Sequence, residues 1–409
     1  MACGGEDGYG DLFEFDPLSV EFNADPIPTY RHLRQRAPVY YWKAGRGYLV
    51  SRYEDVLTVL RDPRFVTVPS KGRRERPAPR SEGEYIHRLL IDHDFFSLPR
   101  ADHVRIRRLA APAFAGGAVV RLRGMIKEIV DDELDPAAWG AETDLARGPS
   151  VNIPRRVLVS VLGVPPRDEG LFLDFADAMF TAFSPGLSEE DYLLRVKVMP
   201  AGYDLIKDLV AARRNRPAED LLSDLVQASN GRARLSTAEL QGLVASLITA
   251  GVGSLTQSIC HSVLTLLRHP DQLNILRNEP GLLENAIHEL NRFSGFVKII
   301  TPRYATECVS LGGVVVRPDE KVIPMLASAM RDPAGFPDPD QLDLRREPDN
   351  LVFGGGPHFC LGSALAKAEL ECTIASLLAR YPKMRLAGEP VIAPSIMVRN
   401  LVKLPVRVD

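Results

Sequence analysis

Apolar positions recur at helical spacing over most of this chain and at strand spacing only in a few short runs. The longest helical pattern is Thr237–Leu267, opened by Ser236 and Glu239 at the spacing of a capping box. Beyond Leu240 it is apolar almost all round, which predicts a buried helix. Further helices are predicted from Ser363 to Tyr381, over about Gly281 to Phe293, from Tyr53 to Leu60 before Asp62-Pro63, through Tyr30, Leu33 and Arg36, and from His103 onward. Between 118 and 235, amphipathic helical patterns break at Pro136, Gly148-Pro149, Pro165, Pro185-Gly186 and Asn230-Gly231. Strand-like runs are Val39–Trp42 and Gly47–Val50 around a glycine turn, and Cys308–Pro324 with turns at Gly312-Gly313 and Pro318–Glu320. Pro394–Arg399 reads as a turn between strands, and residues 64–100, with Pro69, Pro77 and Pro79, read as a long irregular segment. The predicted fold class is mainly α with small β-sheets, an α+β arrangement.

Composition narrows this little. The 409 residues show no Ser/Gly-rich or highly charged linker, so one domain over 1–409 is expected, with residues 1–16 disordered. A net charge of −3 suggests neither nucleic acid nor an anionic membrane as a partner. No run of about 18 apolar residues is apparent, so no membrane span is expected, and Met1–Asp16 lacks the features of a signal peptide. The five cysteines, Cys3, Cys260, Cys308, Cys360 and Cys372, are scattered without a C-x-x-C pair. That argues against a disulfide framework or a zinc site and fits a cytoplasmic location.

The chemistry concentrates in Phe353-Gly354-Gly355-Gly356-Pro357-His358-Phe359-Cys360-Leu361-Gly362. Adjacent glycines permit backbone turns closed to other residues and close approach to a flat group. A cysteine presented just before a helix has its thiolate favoured by the free N–H groups and the positive end of the helix dipole. Such a thiolate suits an axial ligand of haem iron, whereas a helix-capping loop with a structural cysteine would not require the other fixed positions. Two more features are suggestive: His103 and Arg107, four apart, share a helical face that could bind an anion, and two glycines interrupt the long helix at Thr249-Ala250-Gly251-Val252-Gly253-Ser254-Leu255-Thr256. Each mid-helix glycine costs roughly 1 kcal/mol against alanine, which implies close packing or deformation there.

Residues 353–362 resemble the Phe-Gly-x-Gly-x-His-x-Cys-x-Gly signature of the cytochrome P450, haem-thiolate monooxygenase, family. The resemblance extends from about residue 20 to the end, with motifs in the family's order, and is similar to macrolide- and polyketide-tailoring members. It implies the P450 fold with a long central helix over the haem, heme b as cofactor, and Cys360 as iron ligand. His103, Arg107, Arg303 and His358 would surround the propionates, with Phe353, Gly354 and Gly362 completing the cofactor site. Glu289 and Arg292 match the family's Glu-x-x-Arg and are expected to form a buried structural pair.

The central helix departs from the family's Ala-Gly-x-acid-Thr. Ala250 and Gly251 match, but Gly253 stands at the acid position and Ser254 at the threonine, with Thr256 a further hydroxyl. The resemblance places substrate contacts at Leu90, Phe96, Met179, Phe183, Val297, Ile299, Ile300, Ile396 and Met397. Phe172, Phe175, Met179, Phe180 and Phe183 otherwise read as helix core, and Lys298 is expected to point to solvent.

The expected activity is hydroxylation or epoxidation of an apolar secondary metabolite, polyketide- or terpenoid-like, with dioxygen and two electrons from a ferredoxin and its reductase. The expected protein is a monomer. Missing the acid at 253, the chain could instead use peroxide or catalyse coupling or rearrangement. A haem-binding protein that recruits a carrier-bound substrate without oxidising it is the remaining alternative.

Overall fold

The computed structural model describes residues 13–70, 78–182, 188–228, 235–347 and 351–408. These form two compact units. The first contains the described residues up to 70 together with 261–360 and 390–402; the second contains those from 78 to 260 together with 361–389 and 403–408.

The first unit is built on a five-stranded sheet in the order Val39–Trp42, Gly47–Val50, Lys321–Pro324, Arg303–Ala305, Phe65–Val66. The opening hairpin pairs Val39 with Val50, and Gly47–Val50 then runs parallel to Lys321–Pro324. Strand side chains alternate between faces. Val39, Tyr48, Val50 and Val322 accordingly feed one apolar core, while Trp42, Leu49 and Ile323 feed another. Gly45 is required in the hairpin turn, where a Cβ would lie 2.0 Å from the Trp42 ring.

Two expectations are corrected in this unit. Phe15, inside the stretch expected to be disordered, is buried edge-on against Phe22 and Trp42, because those rings offer it more apolar contact than water does; residues 1–12 lie outside the described residues. Lys298 does not point to solvent. It is 1% exposed, its Nζ donates to Asn23 Oδ1 at 2.9 Å, and it lies 4.9 Å from the centre of the Phe22 ring.

The second unit is helical. Helix Gly116–Glu133 packs against Pro149–Val161 and Ser363–Arg380, with Arg380 paired to Asp131 at 3.0 Å and Trp139 stacked on Tyr381 at 4.4 Å. A small sheet joins Glu142–Asp144, Pro405–Arg407 and Arg385–Leu386. The segment read as irregular instead contains helix Glu82–Asp92 and a single 3-10 turn at Phe95–Ser97. The helix begins where Ser81 Oγ accepts the Glu84 N–H at 3.1 Å, a cap that the surrounding prolines and basic residues obscured. Its Gly83 is pressed to the chain at Val196, where a Cβ would lie 2.0 Å from the carbonyl oxygen. The stripe at Phe172 and Phe175 is helix core, as expected, and Gly202 is needed beside the Phe175 ring.

The central helix runs Thr237–Arg268. Its capping box forms: Ser236 N–H donates to Glu239 Oε2 at 2.7 Å and Glu239 N–H to Ser236 Oγ at 3.1 Å. By length and composition alone this helix is apolar enough to cross a membrane, but 61% of its most apolar window is buried inside the protein, as for a core helix. Cys308 is disulfide-bonded, which also qualifies the reading of the scattered cysteines; Cys260, Cys360 and Cys372 form no disulfide.

Candidate functional site

In the first unit the glycine-rich loop folds back on itself. Cys360 N–H donates to Phe353 O at 2.9 Å, Gly354 N–H to Leu351 O at 2.8 Å, and Phe359 N–H to Gly356 O at 3.1 Å. Gly354 and Gly356 have φ of +75° and +63°, a region that disfavours side chains. At Gly356 the need is also steric, since a Cβ would lie 2.1 Å from Leu60 O on helix Tyr53–Arg61. The Phe353 ring meets the His288 ring edge-on at 5.9 Å. Cys360 and His358 are half-buried at the end of this loop. Gly362, the N-cap of helix Ser363–Arg380, has no atom within 4 Å of where its Cβ would be.

Arg303 supplies the strongest physical sign of an absent partner. It is 4% exposed on its strand, and Nη1 donates to the carbonyls of Thr301 at 2.6 Å and Pro302 at 3.3 Å. Burial pushes its pKa down to about 10, with no carboxylate among the described residues to oppose it. A buried guanidinium has five donors in a planar fork and strongly favours a carboxylate. The site therefore fits a cofactor bearing carboxylates, and with the Cys360 donor it fits haem.

In the second unit, His103 is buried on helix Arg100–Ala110 with its ring 4.6 Å from that of Phe95, and Arg107 is half-buried one turn on. Arg105 is engaged elsewhere, with Glu239 and Asp102. Along the buried central helix, Thr249–Ser254 is a short stretch of half-buried and exposed positions. A Cβ on Gly251 would meet nothing closer than Leu158 Cδ1 at 4.0 Å, so that glycine is not demanded by helix packing. Ser254 is exposed, and its hydroxyl donates to Ala250 O at 2.6 Å. Thr256 is buried and donates to Val252 O at 2.9 Å. Two residues turn a helix by about 200°, so Thr256 does not stand beside Ser254. Gly253 is half-buried.

The expected substrate contacts scatter. Leu90 and Met179 are buried, Phe96 is half-buried, and Phe183 lies outside the described residues. Val297 bridges Val398, while Val297 and Ile300 pack against one core of the first unit. Ile299 and Ile396 pack against the other, alongside Lys298. Met397 is 45% exposed, its carbonyl accepting the N–H groups of Lys298 and Ile299.

Glu289 and Arg292 form a fully buried bidentate pair on helix Leu283–Ser294, with bonds of 2.6 and 2.9 Å. Arg292 also donates to Met330 O at 2.8 Å and Pro339 O at 2.9 Å, and Glu289 accepts the Asp343 N–H at 3.1 Å. The pair thus ties its helix to the 330–343 meander. Sequence reasoning missed the link between Ser246 and Asp94; only the four-residue step from Ser246 to Ala250 hinted that Ser246 belongs to the same helix face.

The mainly helical architecture and the cysteine loop define a haem-thiolate protein. The Cytochrome P450 family model matches residues 203–385. The epothilone C/D epoxidase of Sorangium cellulosum is 34% identical over 401 residues, covering 96% of this chain and 95% of that one. The mycinamicin IV hydroxylase/epoxidase of Micromonospora griseorubida is 35% identical, covering 97% and 94%. The solved epothilone B-bound cytochrome P450epoK superposes with a TM-score of 0.87 at 32% identity, covering 97% of this chain and all of that one. This chain belongs to the cytochrome P450 family. It is a monooxygenase, of a family that uses haem, redox partners and small-molecule substrates.

Proposed function

We propose that this chain, as one functional domain, oxidises an apolar polyketide or macrolide-like secondary metabolite by hydroxylation or epoxidation in antibiotic biosynthesis. The observation that carries the reading is the Cys360 loop, shaped by Gly354 and Gly356 and followed at once by a helix N-terminus. The likeness to an epothilone epoxidase and a mycinamicin hydroxylase/epoxidase supports the substrate class and both reaction types. Heme b is the cofactor, and when bound it supplies reductive activation of dioxygen, one oxygen atom passing to substrate and the other leaving as water. Cys360 holds the iron as thiolate. Arg303, His103, Arg107 and His358 hold the propionates, while Phe353, Gly354 and Gly362 shape the cofactor's bed. Ala250 and Gly251 leave room beside the cofactor, and Ser254, able to accept and donate a hydrogen bond, positions a proton-carrying water. A ferredoxin and its reductase provide the electrons, and the protein acts as a cytoplasmic monomer.

The reduced protein with carbon monoxide should show the red-shifted Soret band of thiolate ligation, and ferredoxin-driven turnover should add one oxygen atom to a macrolactone. An unshifted band would sink the reading. Gly253 motivates a second reading, in which peroxide replaces dioxygen and electrons; turnover with peroxide but not with a ferredoxin system would favour it.

A further inference from the structure

The cysteine loop is gripped by two helices of its own unit. On one side, helix Tyr53–Arg61 meets its backbone: a Cβ on Gly356 would lie 2.1 Å from Leu60 O, and one on Gly355 would lie 3.4 Å from Leu60 Cδ1. On the other, helix Leu283–Ser294 meets a side chain: the His288 and Phe353 rings cross at 78° with their centres 5.9 Å apart. This second grip reaches the cysteine, because the Phe353 carbonyl accepts the Cys360 N–H at 2.9 Å. The Phe353 ring also lies 6.3 Å from that of Phe359, which is 42% exposed. The three rings run from the helix to the protein surface, and Cys360 is bonded to the middle residue.

His288 stands on a firmly held base. Its neighbours Ile287 and Glu289 are buried. Asn285, three residues earlier, donates through Nδ2 to Leu344 O and Arg346 O, both at 2.8 Å. Arg292, four residues later, holds Met330 O and Pro339 O. Residues three and four apart share a helix face, so His288 sits between two side chains that are already tied down. The half-buried Phe353 ring also packs against the apolar core of the sheet. Apolar burial is non-directional, whereas two rings at this angle attract through their quadrupoles and so select an orientation.

We propose that His288 is a positioning residue for the axial thiolate: its ring orients Phe353, and the Phe353 carbonyl orients the backbone of Cys360. The inference rests on the haem-thiolate reading above and deepens it. His288 is not a ligand of the iron and acts only through Phe353. A thiolate placed less well donates less electron density to the iron. A weaker donor stabilises the ferric state less, so loss of the ring contact raises the reduction potential.

The test compares haem-loaded wild type with His288→Leu, which keeps bulk without a ring, His288→Gln, which keeps polarity without a ring, and His288→Phe, which keeps a ring. Amide exchange across residues 351–362, read by mass spectrometry, should quicken about two- to tenfold in His288→Leu, the weight of one ring pair. His288→Phe should return exchange to the wild-type rate. In resonance Raman spectra the iron–sulfur stretch should fall in His288→Leu, and its reduction potential should rise; both should be restored in His288→Phe. His288→Gln should match His288→Leu and takes its place if the leucine variant does not accumulate. A merely structural role would lower melting temperature and leave the stretch and the potential where they are. Wild-type stretch and potential in the ring-free variants, beside an intact red-shifted carbon monoxide band, overturn this inference alone. Equal displacement in His288→Phe and His288→Leu overturns it as well, since the ring would then carry nothing. Lack of that band in wild type overturns the haem-thiolate reading, and this inference with it.

Discussion

Lys298 Nζ donates to Asn23 Oδ1 at 2.9 Å, joining a buried ammonium to a buried amide 275 residues away in sequence. Among the described residues no carboxylate pairs with this lysine, and the Pro17 carbonyl at 3.5 Å and the Phe22 ring supply further attraction. Burial, with the nearby Arg399 charge, lowers its pKa from 10.5 to about 8. A lysine whose folded pKa lies below its unfolded value opposes folding when charged. The unfolded chain binds more protons between the two values, so stability attributable to this group rises with pH. Relative to Lys298→Met, wild type should gain stability as pH rises from about 8 to 10.5. Denaturant midpoints of both proteins across that window check this, and a flat difference would remove the lowered pKa.

The Glu289–Arg292 pair lends itself to a stability test. Glu289→Ala leaves the buried Arg292 guanidinium without its counter-ion, at a cost of about 3–5 kcal/mol, whereas Arg292→Ala leaves Glu289 the Arg346 guanidinium at 3.3 Å and should cost less. Glu289→Ala and Arg292→Ala should each unfold at lower denaturant and retain less haem. A midpoint within experimental error of wild type would make the pair dispensable.

Two glycines of the cysteine loop should separate structure from cofactor binding. Gly356→Ala meets both an unfavourable φ and the Leu60 carbonyl, so the apoprotein should lose on the order of 1–3 kcal/mol. Gly362→Ala has open space and an ordinary φ of −86°, so apoprotein stability should hold while haem affinity falls. Parallel melts and haem titrations read the two effects independently.

Ser254→Ala should lower product formed per electron and raise peroxide release, because the exposed hydroxyl is proposed to position the proton-carrying water. Thr256→Val should leave that ratio unchanged, its hydroxyl being buried and bonded to Val252 O. Equal behaviour of the two variants would remove Ser254 from proton delivery.

Cys360→Ser should abolish the red-shifted carbon monoxide band and monooxygenase turnover while the helical circular dichroism persists, since Cys360 makes its backbone bond to Phe353 O with any side chain. A retained band would place the thiolate elsewhere.

Local order along the chain was enough to reveal the features that near neighbours control. Ser236 and Glu239 cap the same helix start, Tyr48 and Leu49 face opposite sides because strand side chains alternate, and Gly354 and Gly356 turn the loop that ends at Cys360. The Glu289–Arg292 spacing likewise brings the pair together within one helical turn. Tertiary structure decided the rest, because burial depends on what a distant segment brings. Lys298 turns inward since Asn23 and Phe22 are there to receive it, and Phe15 is held by Trp42. Ser246 is more than one helical hydroxyl among several only because Asp94, 152 residues earlier, folds against it. A residue's chemistry is written in its side chain, but its use is set by partners that no local pattern can name.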